Sequence, residues 1–384
     1  MNSKERVQKA FLFDRPDKVP ISCIGLQTDF FPILQLEPPE WQPNKYPPHV
    51  QGGDMTIANP LFRWVAYSWD RKLRKEAGYP RKWWNIPHKS IDEWGIIWQS
   101  SGIKSEDKTL GHPINGPLKE SWDGLDDYEI PDANEESRYR LAKTGIMHVL
   151  GKKKYTLGSM GVDGLFHRCS HIRGFENFLM DLARNPKQVG ELLDKILPFY
   201  IIQAEKYKES YPPLDAIVVA DDLGTQKSPF ISPKLFNKFV APRYKKLIDL
   251  THDLGMDFIL HSCGEIYDLI QPLIDIGVDV LEFDSPFMTG VENFKHFAEE
   301  KKMAFWLSSN IQTTYTQGTP EEVEEEVKYY IKEVGNNEGG LAIYEYPQNF
   351  SLGTPRDNIK AQRRAVKTWG NYNDQGKIKW VEEQ

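Results

Sequence analysis

Residues 257–284 read DFILHSCGEIYDLIQPLIDIGVDVLEFD and contain one complete strand–helix–strand unit. Two short apolar runs, Asp257–Cys263 and Val278–Asp284, flank the stretch Tyr267–Ile276, in which apolar residues recur at helical spacing. Strands that are apolar throughout and alternate with helices indicate a parallel sheet whose faces are covered by helices. This unit therefore predicts an α/β fold.

The same alternation continues on both sides of the unit. Further runs with the character of buried strands are Lys18–Cys23, Tyr155–Ser159, Asp215–Asp221, Met303–Ser308 and Gly340–Tyr346. Helical patterns lie between several of them, for example Pro233–Leu254 and Pro320–Val334. Seven strands are thus assigned, and the pattern does not identify an eighth. We expect a (β/α)8 TIM barrel, with a doubly wound open sheet as the alternative.

Composition places the chain among ordinary globular proteins and excludes several classes of function. Of its 384 residues, 40% are hydrophobic and 27% are charged, and 55 acidic residues against 48 basic ones give a net charge of -7. A nucleic-acid-binding protein would show a basic excess, and the apolar runs are too short to span a bilayer. Charges interrupt the N-terminal stretch where a signal peptide needs an apolar run, and the three cysteines are too few for a disulfide framework. We therefore expect a cytoplasmic protein.

Residues 27–132 differ from the rest of the chain. This region is rich in proline and holds eight of the 11 tryptophans. We expect a single domain over residues 1–384, with this tryptophan-rich insertion elaborating its N-terminal part. The aromatic side chains either pack as a second small core or form a lid that offers aromatic walls to a flat ligand, and both interpretations can hold.

The motif His261-Ser262-Cys263-Gly264 closes an apolar strand. Side chains two residues apart on a strand point to the same side, so His261 and Cys263 face one space. In a parallel barrel the carboxyl ends of the strands form the mouth where active sites lie. An imidazole and a thiolate together suit Zn²⁺, but a third ligand must come from another strand end. The alternative is a buried histidine beside an inert core cysteine.

Acidic residues follow other predicted strands. Asp221 and Asp222 are candidate catalytic residues together with His261, because paired carboxylates can bind a metal, orient a histidine or act as general acid and base. The alternative is that one acid caps a turn and the other is solvated. Further acidic candidates are Glu282, Asp284 and Glu345. His167 and His171 flank Cys169, and there a substrate contact or simple packing is favoured over a metal site.

Several motifs, taken in chain order, resemble the uroporphyrinogen decarboxylase superfamily, which includes the corrinoid-dependent methyltransferases. The matching stretches are Ser3–Val7 with Arg15–Pro20, Gly174–Glu176 with Asn185–Pro186, Asp221–Gln226 with Ile231–Pro233, His261–Gly264, Gly277–Asp279, Gly318–Pro320 and Pro355–Ile359. The similarity is strong from about residue 172 to 370. It implies a (β/α)8 barrel with its active site at the C-terminal mouth.

Two departures from the superfamily bear on the activity. The decarboxylases carry an arginine-rich loop for the carboxylates of a tetrapyrrole, whereas no arginine lies between Arg15 and Arg63 here. The methyltransferases bind zinc with a His-x-Cys motif and a later third cysteine. His261 and Cys263 match this motif, but no cysteine follows Cys263, and Glu345 is the nearest candidate for the third ligand.

The resemblance therefore implies a corrinoid-dependent methyltransferase. Such an enzyme would move a methyl group from a small methylated donor to the cobalt of a separate corrinoid protein. The donor that we expect first is a methoxylated aromatic compound. Zinc would polarise the departing oxygen. The expected assembly of the chain is a homodimer. Alternatives are a methylcobamide:thiol (coenzyme M-type) methyltransferase, uroporphyrinogen decarboxylase and a non-catalytic barrel that binds an aromatic ligand. Candidate substrate contacts are Phe30, Phe31, His167 and Tyr344.

Overall fold

Eight parallel strands form the central sheet. They are β1 (Ile21–Ser22), β2 (Phe30–Leu34), β6 (Tyr155–Ser159), β7 (Ala216–Ala220), β8 (Asp257–His261), β9 (Val280–Phe283), β10 (Ala304–Leu307) and β11 (Leu341–Tyr344). Their order is β1-β11-β10-β9-β8-β7-β6-β2. At the two ends of this order, the backbone N–H of Asp29, just before β2, donates to the carbonyl of Ile21 in β1 (2.8 Å). The sheet is thus a nearly closed barrel, and the predicted (β/α)8 fold is confirmed.

The computed structural model describes residues 1–23, 27–34, 38, 41–49, 69–102, 111–145, 149, 151–161, 163–347 and 349–382, without the side chains of residues 350 and 351. Trp64, one of the tryptophans of the insertion, lies outside the described residues.

The strand that the sequence pattern did not identify is β2, with the sequence FFPIL. Within the described residues β2 pairs only with β6. Proline cannot donate a backbone hydrogen bond and is therefore found on strands that lack a partner on one side. Pro32 makes this short segment look unlike a strand, although its place at the end of the strand order tolerates the residue.

Helices surround the barrel and follow most of its strands. They are α1 (Ser3–Phe11), α2 (Arg71–Glu76), α3 (Leu165–Arg173), α4 (Phe175–Arg184), α5 (Pro186–Ser210), α6 (Pro233–Leu235), α7 (Ala241–Asp253), α8 (Tyr267–Asp275), α9 (Val291–Glu299), α10 (Thr314–Gln317), α11 (Pro320–Glu333), α12 (Asn349–Leu352), α13 (Arg356–Trp369) and α14 (Lys379–Glu382). Single 3₁₀ turns lie at Trp83–Asn85, Glu136–Tyr139, Gly151–Lys153 and Pro286–Met288, and a π turn, Phe236–Val240, joins α6 to α7. No helix among the described residues is both long enough and apolar enough to cross a membrane.

Helix α1 covers the N-terminal end of the barrel. Phe11 in its last turn contacts the first residues of two strands, Phe30 of β2 and Tyr155 of β6 (ring centroids 6.1 and 5.7 Å apart). The N-cap Asn2 and Glu5 form a capping box that begins this helix. Aromatic side chains therefore fill this end of the barrel at Phe11, Phe30 and Tyr155.

The described part of the tryptophan-rich insertion builds a small antiparallel sheet, β3 (His88–Ile91), β4 (Ile97–Ser100) and β5 (His112–Asn115). Its Trp98 is buried in the same apolar cluster as the barrel core. Asp92 accepts from the Trp98 indole (3.1 Å) and pairs with Arg168 of α3 (3.2 Å). The Trp122 indole donates to Asp181 of α4 (3.0 Å). These contacts fasten the insertion to the helices that begin at the barrel mouth.

Candidate active site

Three neighbouring strands, β7, β8 and β9, carry the polar residues of the mouth. Ala220 pairs with His261, and His261 pairs with Glu282, so the three residues lie at one level of the sheet and face the same side. Asp222 lies two residues after Ala220, and Cys263 lies two residues after His261, so both continue on the same side. Strand alternation therefore brings the imidazole, the thiol and the carboxylates toward one space.

Four of these side chains converge to hydrogen-bonding distance. His261 Nε2 lies 3.5 Å from Asp222 Oδ1 and 3.5 Å from Cys263 Sγ. The donor atoms of these three residues all lie within 4.8 Å of one another. Asp284 Oδ2 lies 3.4 Å from Cys263 Sγ and 3.8 Å from His261 Nε2. We refer to Asp222, His261, Cys263 and Asp284 as the mouth cluster.

The spacing of the mouth cluster fits a zinc ion. Zinc binds nitrogen and oxygen at about 2.0 to 2.1 Å and sulfur at about 2.3 Å, so two tetrahedral ligands lie about 3.3 to 3.6 Å apart. The 3.5 Å separations of His261 from Asp222 and from Cys263 match this value. Carboxylate, imidazole and thiolate are all common zinc ligands. Asp284 adds a fourth donor next to the sulfur and the imidazole.

Negative charge exceeds positive charge in the cluster, and the pKa values reflect this. Burial by itself lowers the pKa of His261, but the charges of Asp284 and Cys263 and the hydrogen bond with Asp222 outweigh burial and raise it well above its usual value. Burial raises the pKa of the Cys263 thiol, and the two carboxylates raise it further. Burial also opposes ionisation of Asp222, yet His261 holds the pKa of this carboxyl below its usual value. A metal bound by this cluster would have to displace the protons that these shifts keep on His261 and Cys263.

A glycine turn holds the cluster in place. Gly264 has a φ of +87°, and a Cβ atom there would lie 2.3 Å from the carbonyl oxygen of Gly224. The next residue, Glu265, donates its backbone N–H to the carbonyl of Thr225 (2.7 Å). The backbone N–H of Cys263 donates to Asp222 Oδ1 (2.8 Å). The loops after β7 and β8 therefore pack backbone to backbone, which fixes the thiol next to the carboxylate.

Asp221, predicted to be catalytic, has structural partners. It is fully buried, and its carboxylate accepts from the backbone N–H groups of Phe166 and His167 (2.8 Å each) in the first turn of α3. It also accepts from the Tyr244 hydroxyl (2.5 Å). A carboxylate at a helix N-terminus satisfies amides that have no partner within the helix. Burial raises the pKa of Asp221. Its geometry is that of a helix cap, and of the acid pair only Asp222 faces the cluster.

Glu345, predicted as the third metal ligand, is turned toward the helix layer. Its carboxylate accepts from Arg363 Nε of α13 (2.8 Å) and from Asn349 Nδ2 (3.2 Å). The preceding residue, Tyr344, points the opposite way, as strand alternation requires. Glu345 does not belong to the group of donor atoms within 4.8 Å of one another. Asp222 is the carboxylate that belongs to this group.

Tyr344 and the two phenylalanines were predicted to contact substrate. The Tyr344 hydroxyl donates to Asp284 Oδ1, so this side chain supports the mouth cluster from below. Phe30 is fully buried at the start of β2 and stacks on Trp306 (ring centroids 4.5 Å apart). This position near the N-terminal end of the barrel makes Phe30 a packing residue. Phe31 is half-buried and packs against the same core from the other face of β2.

His167 lies in a series of aromatic rings that runs from the insertion toward the mouth. Trp98 of β4 meets His171 edge to face (5.5 Å), and His171 stacks on His167 one helical turn earlier (5.2 Å). His167 in turn approaches Phe175 and Phe230 (6.4 and 6.5 Å). We call these five residues the aromatic series. It forms a wall beside the first turn of α3, where the Asp221 carboxylate is bound.

Tyr346 was not among the predicted site residues. Its side chain is partly buried, and burial raises the pKa of its hydroxyl, with the charges of Asp284 and Cys263 acting in the same direction. The available signal was its spacing, because Tyr346 lies two residues after Tyr344, the last residue of β11.

Comparison with known proteins agrees with this fold. A family model described as uroporphyrinogen decarboxylase (URO-D) matches residues 101–369. A solved structure described as a methyltransferase from Methanosarcina mazei superposes with a TM-score of 0.62, at 17% identity, and the match covers 96% of this chain and 98% of that chain. At this identity the second match shows that the two proteins share the fold.

Curated relatives match at lower coverage. The chain is 25% identical over 265 residues to a methylated-thiol--coenzyme M methyltransferase of Methanosarcina mazei, covering 68% of this chain and 66% of that protein. It is 22% identical over 191 residues to the methylcobamide:CoM methyltransferase MtbA of the same organism, covering 50% of this chain and 53% of that protein. The chain thus matches between about half and about two thirds of the length of these relatives.

Proposed function

The chain belongs to the uroporphyrinogen decarboxylase (URO-D) family, and we propose that it is a corrinoid-dependent methyltransferase. In the proposed reaction a methyl group moves from a small methylated donor to the cobalt of a separate corrinoid protein. The observation that carries the proposal is the convergence of Asp222, His261 and Cys263 at the spacing of zinc ligands. The relatives support it, since they are named as methyltransferases that act with coenzyme M and, for MtbA, with methylcobamide.

We assign the proposed zinc centre to Asp222, His261 and Cys263, with Asp284 as the fourth donor, in place of the set that included Glu345. Zinc bound there would act as a Lewis acid on the atom from which the methyl group departs. The residues of the chain keep the ligands in position. The Cys263 N–H holds Asp222, and the Tyr344 hydroxyl holds Asp284.

The donor class that we propose is a methoxylated aromatic compound. Carboxylate oxygen is a harder ligand than thiolate sulfur, so a centre with one thiolate suits a departing oxygen better than one with two thiolates. The aromatic series lies beside the mouth and presents ring faces and edges that pack well against an aromatic ring. Transfer to cobalt(I) would break the methyl–oxygen bond, form the methyl–cobalt bond and release a phenolate, with both electrons of the new bond supplied by cobalt.

A methylcobamide:thiol methyltransferase is the second candidate. It is favoured by the names of the curated relatives, which specify coenzyme M. In that reaction the cluster would bind the sulfur of the methyl acceptor, and methylcobalamin would lose its methyl group only when a thiol is present. The two candidates use the same cluster and differ in the atom that it activates.

The test is an oxygen-free assay with reduced free cobalamin as methyl acceptor. Methoxylated aromatic compounds and methylated thiols are offered separately, and the loss of the cobalt(I) absorbance is followed. We expect methylation by the aromatic donors with the unaltered protein and its loss in Cys263→Ala and His261→Ala. His252→Ala is the matched control, since this histidine pairs with Asp279 on the surface (2.8 Å). Thiol-dependent demethylation of methylcobalamin without any aromatic turnover would select the second candidate, and no transfer in either assay would refute both.

A further inference from the structure

The carboxylate of Glu282 lies on the far side of the His261 ring from the mouth cluster. Whereas His261 Nε2 faces Asp222, Cys263 and Asp284, its Nδ1 lies 3.6 Å from Glu282 Oε2. The two residues are direct partners in the register of β8 and β9. The Glu282 side chain is 14% exposed, so its carboxylate is largely withdrawn from water.

Some buried acids of the chain are paired with an arginine. Glu93 pairs with Arg138 and Asp163 pairs with Arg168. In the part of the chain that the structure describes, the only basic side chain within 4.0 Å of Glu282 is His261. Withdrawing a carboxylate from water is costly unless a partner compensates for the lost hydration. The partner within reach of Glu282 is Nδ1 of the imidazole.

We propose that Glu282 is a positioning residue that accepts a hydrogen bond from Nδ1–H of His261 and so keeps the ring turned with Nε2 directed at the mouth cluster. This inference rests on the proposed zinc centre and deepens it. A histidine that binds a metal through one ring nitrogen commonly donates the other N–H to a carboxylate, which fixes both the tautomer and the orientation of the ring. The 3.6 Å separation is slightly longer than a hydrogen bond, so the proposed bond needs a small movement of one of the two side chains.

Zinc affinity of the full-length protein tests the proposal without any methyl-transfer assay. The metal is removed, and zinc is titrated in competition with a chromophoric chelator for the unaltered protein, Glu282→Ala and Glu282→Gln. We expect Glu282→Ala to bind zinc about 10- to 100-fold more weakly. Glu282→Gln should lose less, because its amide oxygen still accepts from Nδ1–H. In the zinc-bound protein the Nδ1–H proton of His261 should resonate further downfield in the unaltered protein than in Glu282→Ala, because a carboxylate accepts its hydrogen bond only in the former.

Glu326→Gln is the control for neutralising a buried glutamate. Its carboxylate accepts from the Asn310 backbone N–H (2.7 Å) and from the Tyr330 hydroxyl. The proposal predicts unchanged zinc affinity in this control. If Glu282→Ala and Glu282→Gln bind zinc as tightly as the unaltered protein, or no more weakly than Glu326→Gln, the positioning role is refuted while the zinc centre stands. If the unaltered protein binds no zinc, the centre and the positioning role both fall.

Discussion

Asp222 and Glu345 are the two candidates for the third zinc ligand. Substituting each one in turn tests which of them binds the metal. Asp222 Oδ1 lies 3.5 Å from His261 Nε2, whereas Glu345 is bound to Arg363 on the helix side of β11. Asp222→Asn keeps the side-chain oxygen that accepts from the Cys263 N–H, so the strand end should keep its shape. What it removes is the negative charge and one strong ligand. Glu345→Gln removes the same charge at the end of β11, four positions from β7 in the strand order.

The structure sets the expected magnitudes. Substituting an outer residue that orients a ligand costs about 10- to 100-fold in metal affinity, so losing a direct ligand in Asp222→Asn should cost at least about 100-fold, equivalent to about 2.7 kcal/mol. In Glu345→Gln the zinc affinity should not change. Glu345→Gln should instead lower the free energy of unfolding, because it removes the ion pair with Arg363. The Arg363 side chain is 36% exposed, so solvent limits this loss to about 1 kcal/mol.

The assay is a zinc titration against a chelator, with the free energy of unfolding of each zinc-free variant measured by denaturant. We expect weak binding and a near-normal fold for Asp222→Asn, and normal binding for Glu345→Gln. The opposite pattern, with tight zinc in Asp222→Asn and weak zinc in Glu345→Gln, would refute the assignment of the third ligand. It would also mean that β11 presents its other face to the mouth.

Three further predictions concern acid stability, the glycine turn and substrate binding. Burial, followed by the charges of nearby acids, raises the pKa of Asp257 to about 6, so the folded state keeps a proton that the unfolded chain has lost above about pH 4. The contribution of Asp257 to the free energy of unfolding therefore falls as pH rises from about 4 to 6. In denaturant titrations, Asp257→Asn should make the free energy of unfolding depend less steeply on pH in this range. An unchanged pH dependence would contradict the prediction. Gly264→Ala should lower the free energy of unfolding by more than about 2 kcal/mol because its Cβ would clash with Gly224, whereas Gly255→Ala, at a φ of +70° with no atom within 4 Å, should cost less. Equal losses in denaturant titrations would refute the clash. His167→Ala should raise the KM for an aromatic donor about 2- to 10-fold, the loss of one ring contact, while zinc content stays the same; an unchanged KM would remove this residue from the substrate site.

Much of the barrel was predictable because its strands are buried on both faces. The middle of the run Asp257–Cys263, residues 258–260, is apolar on both faces and fully buried, and this pattern can be recognised without knowledge of its neighbours. All seven predicted runs contain strands of the barrel. β2 was missed because Pro32 and its single strand partner give it a different pattern. Its role in the barrel depends on pairing with β6, more than a hundred residues later in the chain.

The candidate site divides in the same way. His261 and Cys263 could be paired from spacing alone, since strand geometry fixes which way residues two apart point. Sequence spacing could not predict that Asp221 caps α3 while Asp222 faces the cluster. This difference depends on where α3 begins and on the Tyr244 hydroxyl. Adjacent acids on one strand end look alike in sequence, and only the surrounding elements show which of them is a cap.

By itself the sequence determined seven of the eight strands and the placing of His261 and Cys263 on one side of a strand end, because these follow from local periodicity. The tertiary structure alone decided which carboxylates complete the cluster. Strand register brings Asp222, Glu282 and Asp284 to His261, whereas the phase of β11 turns Glu345 outward to Arg363. A one-residue change of phase reverses every side chain on a strand, and that phase is set by packing against distant parts of the chain.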